Sequence, residues 1–194
     1  MKDYLERMRV PPKFWDSQLE KISAQPKVII DRFLSDFNAY LSRGWGLLFW
    51  GDYGTGKTAA ASVMMKEGVI KNYKTGLWVF ADDVASFIID KTQFDSTESM
   101  QERMLSVDLL LIDEFLISSK RDSFKDTSLE MIFRRRVAMK KSTCFTTNLT
   151  PKMIEERYPA LFNVMLECVF PVKFSEQFRK GISDDIREDL QNGK

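Results

Sequence analysis

Gly51-Asp52-Tyr53-Gly54-Thr55-Gly56-Lys57-Thr58 follows the apolar run Gly46-Leu47-Leu48-Phe49-Trp50 and precedes Ala59-Ala60-Ala61. An apolar run, a glycine-rich turn and a run of small residues predict a buried strand, a turn and a helix N-terminus. In that context the spacing G-x-x-x-x-G-K-[ST] reads as a phosphate-binding P-loop. Glycines let backbone N–H groups converge on phosphate oxygens with no Cβ in the way. A helix starting at Lys57 adds unpaired N–H donors and the positive end of its dipole. Lys57 adds a full charge at the β- and γ-phosphates, and the Thr58 hydroxyl is a ligand for Mg²⁺. Gly51, Asp52, Tyr53, Gly54, Thr55, Gly56, Lys57, Thr58 and Ala59 are therefore the expected seat of ATP, with Mg²⁺ as its companion ion.

The 194 residues suffice for one α/β domain of ordinary size. Against 29 basic side chains stand 28 acidic ones, a net charge of +1, so no bulk basic field steers nucleic acid. A nucleic-acid partner must be gripped by a local patch or by several copies of the subunit. Cys144 and Cys168 lie in apolar segments with no neighbouring Cys or His, and read as buried free thiols of a reducing compartment. The charged start of the chain and the lack of any apolar stretch near 18 residues predict a cytoplasmic protein without a membrane span.

Residues 1–28, with Pro11, Pro12 and Pro26 among charged residues, read as an arm with at most short helices, its Phe14 and Trp15 docking on the domain formed by residues 29–194. Apolar residues from Ile29 to Leu41 recur at helical spacing, with Gly44 as a stop. After the P-loop, the pattern predicts a helix from Thr58 to about Ile70, a strand Gly76–Ala81 and a helix begun by Asp82-Asp83. Residues 92–98 read as a loop, Ser99 to Ser106 as a short helix, and Val107 to Ile112 as a strand. The polar stretch 118–126 reads as a loop, and Asp126 or Thr127 as the cap of a long helix to about Lys141. A strand Thr143–Thr147, a helix begun by Thr150-Pro151, a last strand Cys168–Phe174 and a closing helix from Ser175 to about Leu190 complete the chain. Strands alternating with helices predict a parallel sheet covered on both faces, with its active loops at the strand C-termini.

Leu109-Leu110-Leu111-Ile112-Asp113-Glu114 delivers two acids to the tip of a buried strand. Adjacent carboxylates there are costly unless a metal or a water engages them. Asp113 is the expected Mg²⁺ acid of a Walker-B segment, and Glu114 the group that polarises the attacking water. This pair argues against nucleotide and nucleoside kinases, which activate a bound substrate rather than water. Thr146-Thr147-Asn148 ends the next strand; the Asn148 amide suits a role in orienting water or touching the γ-phosphate, and Asn-Leu-Thr-Pro is also a good turn and helix start.

Pro11-Pro12-Lys13-Phe14, the P-loop, Leu111-Ile112-Asp113-Glu114, Arg135-Arg136, Thr146-Thr147-Asn148-Leu149 and Phe174-Ser175 to Phe178-Arg179 occur in an order that resembles the DnaC/IstB-like AAA+ ATPases, bacterial and phage helicase loaders and transposition helpers. The resemblance implies an α/β P-loop NTPase of the ASCE/AAA+ type, a three-layer sandwich around a five-stranded parallel sheet, with no separate lid domain. It makes Asn148 a sensor-1 residue and Arg179 a sensor-2 arginine that reaches the γ-phosphate, so that Lys57, Glu114, Asn148 and Arg179 are the catalytic set. It places Lys91, Thr92, Gln93 and Phe94 where related loaders touch single-stranded DNA. Arg135, Arg136 and Arg157 are its candidates for contact with a neighbouring subunit's nucleotide, Arg157 standing in for an arginine finger missing from Ala160–Glu167.

The implied function is an ATP-hydrolysing DNA replication protein that loads or regulates a replicative helicase on single-stranded DNA as a nucleotide-dependent homo-oligomer, its turnover weak or partner-stimulated. Two other readings share the site: a transposition helper ATPase of the IstB type, and a non-catalytic, nucleotide-gated adaptor that mimics or inhibits a helicase loader.

Overall fold

The computed structural model describes residues 1–19, 22–89, 99–115 and 123–175. Five strands form one sheet: β1 (Gly46–Gly51), β2 (Gly76–Phe80), β3 (Leu109–Asp113), β4 (Ser142–Thr147) and β5 (Val169–Phe174). Their order across the sheet is β2-β3-β4-β1-β5, and every pairing is parallel. This is the predicted three-layer α/β architecture.

Successive strand residues face opposite sides of a sheet, and the two cores follow that alternation. Leu47, Phe49, Trp78, Leu109, Leu111, Cys144, Val172 and Phe174 face one core; Leu48, Leu77, Val79, Leu110, Ile112 and Phe145 face the other. The first core is closed by α1 (Lys2–Arg7), α2 (Ala24–Ser35), α3 (Phe37–Ser42) and α4 (Lys57–Lys71). The second is closed by α5 (Ala81–Ile89), α6 (Met100–Ser106), α7 (Ser123–Ala138), α8 (Pro151–Arg157) and α9 (Pro159–Cys168). Among the described residues no helix is long and apolar enough to cross a membrane.

Two local expectations change. The single helix expected from Ile29 to Leu41 starts earlier, at Ala24, and is two helices broken at Asp36 (φ −116°, ψ 29°). Both pieces bury the same apolar stripe, including Ile30, Phe33, Phe37 and Leu41, so the periodicity does not register the break. The long helix expected to be capped at Asp126 or Thr127 begins instead at Ser123, inside the stretch read as a loop; residues 116–122 lie outside the described residues. Its polar first turn is useful there, since Asp126 complements the helix dipole and Lys125 pairs with Asp82 of α5 at 2.9 Å. The arm is woven into the first core through Leu5, Met8, Val10, Phe14 and Leu19, and its Trp15 Nε1 donates to Val10 O at 2.7 Å. The loop expected at 92–98 and the closing helix beyond Ser175 fall outside the described residues.

Candidate active site

β1 delivers the chain to the P-loop at Gly51, whose φ is +142°. A Cβ there would stand 2.0 Å from Phe174 O on the neighbouring strand, so only glycine lets β5 lie alongside. Gly56 (φ +88°, left-handed) is the N-cap of α4 and turns the chain into the helix at Lys57. Lys57 is a largely buried residue, and its ammonium donates to Gly51 O at 2.8 Å and Asp52 O at 2.6 Å, closing the loop over itself. Burial lowers its pKa, and the charges of Asp52 and Asp113 oppose that shift. The Thr55 hydroxyl, donating to Asp52 O at 2.8 Å, braces the same turn.

Asp113 ends β3 with 1% of its surface exposed. Its Oδ1 accepts from the Thr58 hydroxyl at 3.2 Å and from the Thr146 hydroxyl. Burial raises its pKa above the usual carboxylate value; the Thr146 bond opposes that shift and the charge of Glu114 adds to it. Glu114 is exposed and sits in the left-handed region at φ +60°, a conformation that costs a non-glycine residue about 1–3 kcal/mol and persists only where neighbours enforce it. The neighbours are on β4. Thr146 Oγ1 accepts the Glu114 N–H at 3.0 Å, Thr146 O accepts the Phe115 N–H at 2.7 Å, and the Thr147 hydroxyl donates to Phe115 O at 2.7 Å. Thr146 and Thr147 thus hold the acidic turn, a role the sequence reading did not assign them. The signal was available: hydroxyls on a strand buried between two others must find partners.

Asn148 follows β4 directly and is half-buried, at the same edge of the sheet as Asp113 and Glu114. Thr150 caps α8 as expected, accepting the Met153 N–H at 3.2 Å ahead of Pro151. Arg135 and Arg157 are exposed, on α7 and α8.

Arg136 is a correction. Expected beside Arg135 at an inter-subunit surface, it has no exposed surface. Its Nε donates to Thr143 Oγ1 at 3.0 Å, its Nη1 to Met104 O, Leu105 O and Val107 O at 2.7, 3.3 and 3.0 Å, and its Nη2 to Ser142 O at 2.5 Å. The guanidinium collects carbonyls at the end of α6 that a helix terminus leaves unpaired. Burial pushes its pKa down to about 9, still far enough above neutrality to keep the charge. A run of three arginines reads as a basic surface, and only the tertiary fold shows that its last member points inward. Arg179 and the stretch Lys91, Thr92, Gln93, Phe94 lie outside the described residues.

Beside the P-loop, Ser17, Gln18 and Ile22 line, with Thr55, Gly56, Ala59 and Phe174, a slot of about 60 Å³. A larger apolar groove of about 530 Å³ runs between α2 and the start of β5. Its lining includes Gly46 and Leu47, so it sits at the opposite end of β1 from the P-loop. Among the described residues no three metal-ligating His, Cys, Asp or Glu side chains cluster. Mg²⁺ takes one or two protein oxygens and completes its shell with phosphate and water. Thr58 and Asp113 offer two hard oxygens 3.2 Å apart beside the P-loop, so the donor set fits the ion.

Many solved structures share this fold, among them these three. The DnaC helicase loader is 19% identical, with a TM-score of 0.73 over 84% of this chain and 99% of its own. DnaI is 18% identical, with a TM-score of 0.67 over 86% of this chain and 95% of its own. The replication initiator DnaA bound to AMPPCP and single-stranded DNA is 19% identical, with a TM-score of 0.63 over 94% of this chain and 56% of its own. These likenesses carry the fold, that of P-loop AAA+ ATPases. No curated protein matches the chain by sequence. A profile of the bacterial DnaA ATPase domain matches residues 38–167, well over half of the 194, and the chain therefore belongs to the family of bacterial DnaA ATPase domains.

Proposed function

We propose that this chain is an ATP-hydrolysing DNA replication protein of the cytoplasm that loads or regulates a replicative helicase on single-stranded DNA. The observation that carries the ATPase is the Thr58–Asp113–Thr146 hydrogen-bonded chain, which sets the strained Glu114 turn beside the P-loop. The loader reading is supported by the likeness to the DnaC helicase loader, at a TM-score of 0.73 against 0.63 for the DnaA chain.

Lys57 exchanges its two loop carbonyls for phosphate oxygens, and the slot between Gln18 and Ala59 takes the nucleoside end. Thr58 and Asp113 would hold Mg²⁺, which would supply positive charge to the phosphates. Glu114, exposed at the strand tip, accepts the proton of the attacking water, and Asn148 orients that water. Arg179 serves the γ-phosphate from its own subunit, Arg135 and Arg157 meet a neighbouring copy, and Lys91, Thr92, Gln93 and Phe94 touch the DNA strand.

The test is ATP binding and turnover with and without single-stranded DNA, together with capture of the replicative helicase in the presence of ATP. Glu114→Gln is expected to bind ATP and lose hydrolysis. Bound ATP with no turnover in the parent chain, with or without single-stranded DNA, would instead mark a non-catalytic adaptor, and ATP-dependent capture of a transposase would mark a transposition helper.

A further inference from the structure

The N-terminal segment is fastened to the domain at two places and lines a slot beside the P-loop. Met8 O accepts the Trp78 N–H at 2.7 Å, so the segment lies along the open edge of β2, and Phe14 stacks on Trp78 with ring centroids 5.9 Å apart. Next, the short 3-10 turn Pro12–Phe14 ends against α4. The Lys66 ammonium donates to Trp15 O at 2.6 Å and Ser17 O at 2.9 Å, with Phe14 O at 3.5 Å. The Ser62 hydroxyl, one helical turn earlier, donates to Phe14 O at 3.2 Å. Ser17 and Gln18 also line the slot, together with Thr55, Gly56 and Ala59 on the P-loop side.

Ser17 therefore belongs to two systems at once: Lys66 holds its carbonyl, and the residue lines the slot. The helix that carries Lys57 and Thr58 at its start carries this clamp further along, so one rigid element references both the phosphate end and the Ser17 side of the slot. Contacts across a narrow gap are sensitive to its width, since opening by 0.5–1 Å forfeits about a quarter to a half of the dispersion attraction.

We infer that Lys66 is a positioning residue for the nucleobase: by holding the Trp15 and Ser17 carbonyls it sets where the slot wall stands relative to the P-loop, and so how tightly the base is held. The inference rests on the nucleotide reading above. Lys66 touches neither phosphate nor base, so its loss acts on the base's share of affinity and leaves the phosphate's share alone.

Lys66→Met keeps the aliphatic stem and removes the ammonium. Titrating the full chain with ATP and with inorganic tripolyphosphate, each with Mg²⁺, separates the two shares. K66M is expected to lose about tenfold in ATP affinity with no change for tripolyphosphate, and Lys66→Arg to recover part of the loss. An unchanged ratio of ATP to tripolyphosphate affinity in K66M overturns the inference while leaving the nucleotide reading intact. Should K66M not fold, Lys66→Gln, which removes the charge and shortens the reach to Trp15 O and Ser17 O, carries the test with an expected ratio drop of about threefold, and no drop overturns the inference. A wild-type chain that binds neither ligand overturns the nucleotide reading and this inference with it.

Discussion

The Thr146 hydroxyl donates to Asp113 Oδ1 while its oxygen accepts the Glu114 N–H at 3.0 Å, so one side chain of β4 fixes both acids at the tip of β3. Thr146→Val keeps the shape and deletes both bonds. It leaves the buried Asp113 with one donor fewer and the Glu114 N–H without its partner. The expected result is a loss of about 1–3 kcal/mol in unfolding free energy, with ATP turnover falling more than ATP affinity. Urea unfolding and steady-state kinetics on the same variant check it; full turnover in a folded variant would separate Thr146 from the site.

Neighbouring arginines on α7 should behave oppositely. Arg136→Met empties a buried site and strands the carbonyls of Met104, Leu105, Val107 and Ser142, so a loss of about 3 kcal/mol or more is expected. Arg135→Ala, at an exposed position, should stay within about 0.5 kcal/mol of the parent. Denaturant midpoints of the two variants decide it.

Asp108 supplies the pH dependence. Burial pushes its pKa up, but the Thr75 N–H at 3.0 Å, the Lys141 ammonium at 3.1 Å and the Thr75 hydroxyl at 2.9 Å outweigh that and hold it below the usual aspartate value. A carboxyl whose pKa falls on folding contributes stability that is present in full above its unfolded pKa and lost as pH drops through the folded one. Asp108→Asn should cost about 1 kcal/mol near neutrality, and the gap from wild type should close as pH falls below about 4. Unfolding curves at pH 7 and pH 3 measure it; a gap that widens in acid contradicts this account.

The thiols should be slow. Burial pushes Cys144 up to about 12 and Cys168 up to about 11, so neither offers much thiolate near neutrality. Cys144 is fully enclosed, its Sγ accepting the Leu47 N–H at 3.2 Å, whereas Cys168 is half-buried rather than buried as the sequence suggested. Alkylation at pH 7 should reach Cys168 first and Cys144 only on unfolding, as mass mapping of a labelling time course would show.

The linear chain by itself determined the strand-loop-helix around Lys57, the acidic strand tip at Asp113-Glu114 and the parallel sheet, because glycine spacing, apolar runs and strand-helix alternation are local patterns with local causes. Those same patterns are blind to partners far away in sequence. That β4 lies between β1 and β3 and places Thr146 against Asp113, that Arg136 turns inward onto the end of α6, and that Lys66 holds the N-terminal segment beside the P-loop were decided only by tertiary structure. The physical reason is common to all three: a buried hydroxyl, guanidinium or ammonium must find acceptors wherever packing supplies them, and no spacing along the chain encodes which carbonyl or carboxylate that will be.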